Sequence, residues 1–295
     1  MSTSAIVEAR VAELNEKGFC IIPSVLPRAF ISALDTSLAP VFERTPCSRG
    51  NFYGESTKRF GRLLVRDRRV ASLVQHRLIL EIVETVLGPF CDRIQLNVTQ
   101  AIEIHPGELA QAPHRDQDMW AGEKGRIEYL LNVIWPLTPF THENGATMIW
   151  PGSHGRHALE EEPHGDAVAA ECVPGAAILF LGSTLHGAGP NCSTGARRGL
   201  VIGYSLGWLK AYENPYLAYP PQVARTFSPE LAALVGYRQH RPNLGNFEGQ
   251  CPSVALGNNL PDTPGAIDAL RPDQEAMVAA HLARERASAS ASPVP

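Results

Sequence analysis

His114, Arg115 and Asp116 stand together in the chain, His186 follows His114 by seventy-two positions, and Arg197 and Arg198 come after it. Two imidazoles and one carboxylate can occupy one face of an octahedral metal and leave three positions open. That set suits non-haem Fe(II), which must take a co-substrate and O2 together. An arginine eleven or twelve residues past the distal histidine can fork onto the far carboxylate of a small dicarboxylic acid. At an i, i+2 spacing in extended chain, His114 and Asp116 project to one face and can chelate one ion. A bare H-x-D reads most simply as a surface histidine beside a turn carboxylate. The strand-end histidine and the arginines that follow make metal binding the better reading.

Competing patterns are weaker. His164-Gly-Asp166 is also H-x-D, but it lies in the acidic loop EEEPHGD, with Asp166 only twenty residues before His186. That leaves room for a single strand. His154 and His157 read as turn and loop residues. There is no H-E-x-x-H of a zincin protease, and no H-x-H with a nearby Glu as in a cupin.

The elements that must position these residues change character along the chain. Residues 4–18 space Ile6, Val7, Val11 and Leu14 at helical intervals, and Gly18 is placed to end that helix. FCIIP (19–23) reads as a short buried strand, and a second helix is expected over about 28–43. Residues 45–62 read as irregular, and helix returns over about 67–87. From about 93 the pattern is β-rich, with RIQLNVTQAIEIHPG, YLLNVIWPLTPF, ATMIWPGS, AECVPGAAILFLGS and RGLVIGYSLGW separated by turn residues. Short strands so spaced suggest an antiparallel barrel or sandwich. Loop and short helix follow at about 213–238, and the low-complexity ASASASPVP (287–295) is expected to be disordered. We read residues 1–286 as a single domain, mainly β, with N-terminal helices packed on a β-core.

Composition bounds the function. The chain of 295 residues is 44% hydrophobic and 19% charged, with net charge −4. That gives no electrostatic footprint for nucleic acid. The six cysteines include no C-x-x-C, so reduced thiols are the expectation. No run approaches the ~20 apolar residues of a membrane span. The first eighteen residues lack the basic and apolar regions of a signal peptide. A cytoplasmic protein with no membrane partner is the default expectation, and the oligomeric state stays open, a homodimer included.

Five stretches in order, GFCIIPSVLP, PHRDQ, FTHENGATMIWPGSH, VPGAAILFLGSTLHGAG and ARRGLVIGYSLGW, carry a resemblance. Over residues 15–240 the chain resembles the phytanoyl-CoA dioxygenase family of Fe(II)/2-oxoglutarate oxygenases. Its HRDQ, TKR and ENGAT versions look most like members that tailor terpenoid and alkaloid natural products. The resemblance implies a double-stranded β-helix (jelly-roll) barrel. It implies His114, Asp116 and His186 as iron ligands, and Arg197 as the holder of the 2-oxoglutarate C5 carboxylate. Arg198 is the alternative and Thr147 a helper. The retained Asp116 implies oxidation rather than halogenation, with succinate and CO2 released from 2-oxoglutarate and O2 consumed.

Phe52, Tyr53, Thr57, Arg59, Gln117 and Trp120 are the candidates for substrate contact. No excess of Lys or Arg suggests a CoA pocket, which favours a small, largely apolar metabolite (terpenoid, polyketide or alkaloid) over an acyl-CoA. A non-catalytic jelly-roll sensor, an acyl-CoA hydroxylase and a metal-dependent hydrolase are the other readings. Strand alternation separates the two arginines. If Arg197 points inward, so do Gly199, Val201, Gly203 and Ser205, a small-residue face that leaves room for a co-substrate. If Arg198 does, Leu200, Ile202 and Tyr204 crowd the same space.

Overall fold

A computed structural model describes residues 3–156, 165–258 and 262–291. Two antiparallel sheets face one another. The larger has six strands in the order β1-β7-β4-β9-β3-β2 and the smaller three, β6-β5-β8. These strands are β1 (Phe19–Ile22), β2 (Thr57–Phe60), β3 (Ile94–Ile104), β4 (Leu130–Pro136), β5 (Thr147–Ile149), β6 (Val168–Ala169), β7 (Ala177–Leu181), β8 (His186–Ala188) and β9 (Arg197–Leu206). This is the expected jelly roll.

The outer face of the large sheet is covered by helices. Helix α1 (Thr3–Lys17) buries Val7 and Leu14, and Gly18, at φ +82°, ends it with its N–H on the Leu14 carbonyl. Helix α2 (Arg28–Arg44) buries Ile31, Leu34, Leu38 and Phe42. The helix expected over 67–87 is two, α3 (Val70–Val74) and α4 (Arg77–Leu87), preceded by the turn Leu63–Arg66. The buried positions explain the break. From Val74 to Ile79 the apolar interval is five residues, out of step with a helical face, and His76 adopts extended φ, ψ there.

Two further expectations change. The stretch 45–62 is not wholly irregular, because polar TKRF pairs with β3 as edge strand β2. A strand at the sheet's edge needs no apolar alternation to find backbone partners. The tail, expected to lack structure from 287, instead continues a helix, Pro272–Ala291, exposed over residues 275–290. Residues 292–295 lie outside the described residues. Three short helices occupy 215–234, and all six cysteines are free. No described helix is long and apolar enough to cross a membrane.

The large sheet has two faces of different chemistry. Toward the helices point Leu131, Val133, Trp135, Leu200, Ile202 and Tyr204, all in the main core. Toward the small sheet a lesser apolar cluster of Ile134, Phe140, Ile149, Ile178 and Phe180 closes one end. The rest of that interior is a cavity of about 430 Å³, in the size range of small-molecule sites.

Candidate metal centre

Backbone pairing builds the centre. His114 and His186 exchange reciprocal hydrogen bonds, N–H to carbonyl at 2.9 and 3.0 Å, which sets their rings side by side with centroids 4.4 Å apart. Arg115, between the two ligating candidates, turns away and donates to the Ser183 carbonyl at 3.0 Å. This ties the first segment to the loop that leads into His186. Asp116 starts a 3-10 turn, Asp116–Met119, held by the Gln117 N–H on the Gly182 carbonyl.

The three side chains converge. One potential ligand atom from each lies within 4.8 Å of the others. His114 Nε2 is 3.5 Å from Asp116 Oδ1, and His186 Nε2 is 3.6 Å from Asp116 Oδ2. Each imidazole has its other nitrogen on a backbone carbonyl: His114 Nδ1 on Ala112 at 2.9 Å and His186 Nδ1 on Thr184 at 3.0 Å. Those contacts fix Nδ1 as the protonated atom and leave the Nε2 lone pairs facing Asp116, the tautomer a metal ligand needs.

Protonation states agree with that use at Asp116 and His186. Burial opposes the Asp116 carboxylate, but the adjacent His186 and His114 outweigh it and hold the group down to about 2. Burial lowers His186, keeping its ring neutral. Burial also works against a charged His114, but its bond to Asp116 prevails and raises it. The ionised Asp116 and the neutral His186 are in their ligating forms, and a divalent cation would displace the proton that His114 holds toward Asp116.

The arginine assignment follows the alternation. Arg197 is buried and lines the cavity with Val201. Its Nε and one Nη donate to the Gly145 carbonyl, and its guanidinium lies 4.2 Å from the Phe140 ring centroid. The ENGAT loop thus aims Arg197 as well as shaping a turn. Burial, with Arg59 nearby, pulls the guanidinium down to about 9, so the site favours an incoming anion. Arg198 is on the opposite face: its Nε is 2.5 Å from Glu103 Oε2 and its Nη1 3.5 Å from Asp35. That partnership removes Arg198 from the cavity. Thr147 is buried in β5 and lines the cavity.

The other candidates divide. Phe52, Tyr53 and Arg59 line the cavity; Thr57, Gln117 and Trp120 do not. Thr57 is buried with its hydroxyl donating to Glu108 at 2.8 Å. Gln117 is fully buried, its side-chain amide without a partner among the described residues. Trp120 donates from Nε1 to the Lys210 carbonyl at 2.9 Å and stacks edge-on with Tyr129. His154 bonds the Asn15 carbonyl, whereas His157 and His164 lie outside the described residues.

Several lining residues escaped the sequence reading: Asn97, Gln100, Gln111, Asn132 and Tyr212. A bulge in β3 between Leu96 and Val98 lets both Asn97 and Val98 reach the cavity, against simple alternation. At the rim the Tyr53 and Tyr212 hydroxyls are 2.6 Å apart, and Phe52 stands edge-on to His114 at 4.8 Å.

Comparison with known proteins places this geometry. The family described as Phytanoyl-CoA dioxygenase (PhyH) matches residues 14–199, more than half of the chain. Dioxygenase trt7 of Aspergillus terreus is 33% identical over 238 residues, 76% of this chain and 82% of that relative. The chain belongs to the phytanoyl-CoA dioxygenase family.

Other relatives of this family member agree. Dioxygenase FrzG of Cladobotryum sp is 35% identical over 227 residues, 70% of this chain and 74% of that relative. Among solved structures, the non-heme alpha ketoglutarate dependent epimerase SnoN from nogalamycin biosynthesis aligns with a TM-score of 0.57 at 18% identity. That alignment covers 69% of this chain and 84% of SnoN, and it speaks for the fold. HygX from Streptomyces hygroscopicus, solved with nickel and 2-oxoglutarate bound, aligns at 0.53 with 15% identity, over 70% of this chain and 89% of its own. Family membership and the converging triad make the protein a dioxygenase dependent on Fe(II), 2-oxoglutarate and O2.

Proposed function

We propose that His114, Asp116 and His186 hold Fe(II), that Arg197 with Thr147 holds the 2-oxoglutarate C5 carboxylate, and that the substrate is a small, largely apolar natural product. The observation that carries this reading is Arg197: a buried guanidinium lining the cavity that holds the triad, with no carboxylate partner among the described residues. A buried cation left unpaired by the protein is costly and calls for an anionic ligand. When bound, iron and 2-oxoglutarate supply with O2 the oxidant that breaks a substrate C–H bond, with succinate and CO2 released.

The chain's own residues do the rest. Ala112 and Thr184 carbonyls fix the imidazole donors, and the Phe180 ring backs His186 at 4.5 Å. Gly145 aims Arg197 at the co-substrate. Phe52, Tyr53, Met119 and Tyr212 screen the centre from bulk water, and Val98, Ile102, Leu130 and Val201 offer the substrate an apolar wall. The name of one structural neighbour supports the substrate class: SnoN acts in nogalamycin biosynthesis. Hydroxylation, desaturation and rearrangement all begin from the same C–H cleavage.

The test is a metabolite-extract screen for succinate. Release must require the protein, O2 and 2-oxoglutarate together, and must vanish in Asp116→Ala. Tight binding of a metabolite with no succinate from any extract supports a sensor instead; turnover without O2 or keto acid supports a hydrolase.

A further inference from the structure

Strand β4 reads LLNVIWP, and every one of its seven residues is buried. Six are apolar. The exception is Asn132, 2% exposed, and a buried amide is destabilising unless it is hydrogen-bonded. Its Nδ2 donates to Asp116 Oδ2 at 2.7 Å. At that distance from a carboxylate oxygen the amide must present its nitrogen, because two oxygens would set lone pair against lone pair.

The neighbouring strands make room for this amide. Asn132 is in register with Phe180 on one side and Gly203 on the other. Phe180 backs His186. A Cβ at position 203 would meet Asn132 Oδ1 at 3.0 Å and Val98 Cγ1 at 3.1 Å. Glycine is the residue that lets Asn132 lie where it reaches Asp116. Both carboxylate oxygens face imidazoles, yet only Oδ2 takes the amide.

We infer that Asn132, seated over Gly203, is a positioning residue that fixes the Asp116 carboxylate and decides which of its oxygens is offered to the metal. This rests on the proposal that the triad holds the metal. Outer partners of metal ligands typically alter affinity or activity on the order of 10- to 100-fold, and Asn132→Ala and Asn132→Leu should weaken metal binding within that range. Gly203→Ala, which presses on the amide, should move affinity in the same direction by less. Combined with Asn132→Ala it should add little, since both changes act through one contact.

The experiment is anaerobic titration of the full chain with Co(II), reading the dissociation constant and the visible absorption bands, beside a thermal melt of each variant. Arg198→Ala is the control for plain destabilisation: it should lower the melting temperature and leave the Co(II) constant and bands as in wild type. Altered bands and weakened binding in both Asn132 variants support the positioning role. If wild type binds no Co(II), or Asp116→Ala binds it equally well, the triad reading falls. If those two hold but the Asn132 variants bind within about threefold of wild type with superposable bands, the positioning role alone is overturned. Should Asn132→Leu not fold, Asn132→Ala and Gly203→Ala decide in the same way.

Discussion

Arg197 and Arg198 are neighbours on β9, yet the two faces of the large sheet treat them oppositely. On the helix side Arg198 joins a closed set of charges: Glu103 accepts from it, Asp35 lies at 3.5 Å, and Lys58 also reaches Glu103 at 3.5 Å. Its guanidinium packs on Phe42 at 4.7 Å. Inside the barrel Arg197 has a backbone carbonyl and an aromatic ring, and no carboxylate among the described residues. Arg59, also on the inner face, gives one bond to Gln100 while its Nε is buried without a partner among the described residues. The charges on the helix face are paired within the protein; on the reading proposed above, ligands complete those on the inner face.

That contrast breaks most sharply at the triad. Asp116→Ala should abolish Fe(II) binding and succinate formation and leave the far-ultraviolet circular dichroism unchanged, because the carboxylate bonds only the site. Loss of the fold instead would mean that Asp116 supports the structure more than the chemistry.

The arginine pair gives the next largest effects, and they should dissociate. Arg197→Ala removes a charged, forked contact of about 1.5–3 kcal/mol, which corresponds to a roughly 10- to 150-fold weaker 2-oxoglutarate affinity. Arg198→Ala should change that affinity less than about threefold. Arg198→Ala should instead cost about 1–3 kcal/mol of stability, the range for an abandoned buried acceptor, since Glu103 would lose its shortest partner. Denaturant unfolding of both variants beside calorimetric titration of the keto acid checks the pair. The reverse ranking would place β9 one residue out of register.

A smaller effect is an acid limb of stability. Burial pushes the Glu103 carboxyl up, but Arg198, His105 and Lys58 outweigh it and hold it below its ordinary value of 4.5. The unfolded chain therefore binds the proton first as pH falls, and the contribution present above 4.5 is lost as pH drops through the folded value. Unfolding free energy should decline below about pH 4.5, and Arg198→Ala should flatten that decline.

How much of this was legible in the sequence depended on local geometry. The triad was readable because His114 and Asp116 are two residues apart and His186 ends an apolar strand. The inward arginine was readable because alternation places Arg197 with Gly199, Val201 and Gly203 and leaves Leu200, Ile202 and Tyr204 for the core. Asn132 had a visible signal, a lone amide in an apolar strand, that went unused. Tyr212 had none: it reaches Tyr53 across 159 positions, a meeting only the fold creates. Trp120 shows the limit of reasoning from aromatic loops, since its ring turned to Tyr129 and the helix-side core.

The central claim is that the inner face is built to bind metal and keto acid together. The most direct measurement is an anaerobic titration of Fe(II)-loaded protein with 2-oxoglutarate, followed in the visible. A weak charge-transfer band of a chelated keto acid should grow in and saturate, and Arg197→Ala should show the same band only at concentrations about 10- to 150-fold higher. If wild type gives no band at saturating 2-oxoglutarate, the inner face does not bind the pair and the account is wrong.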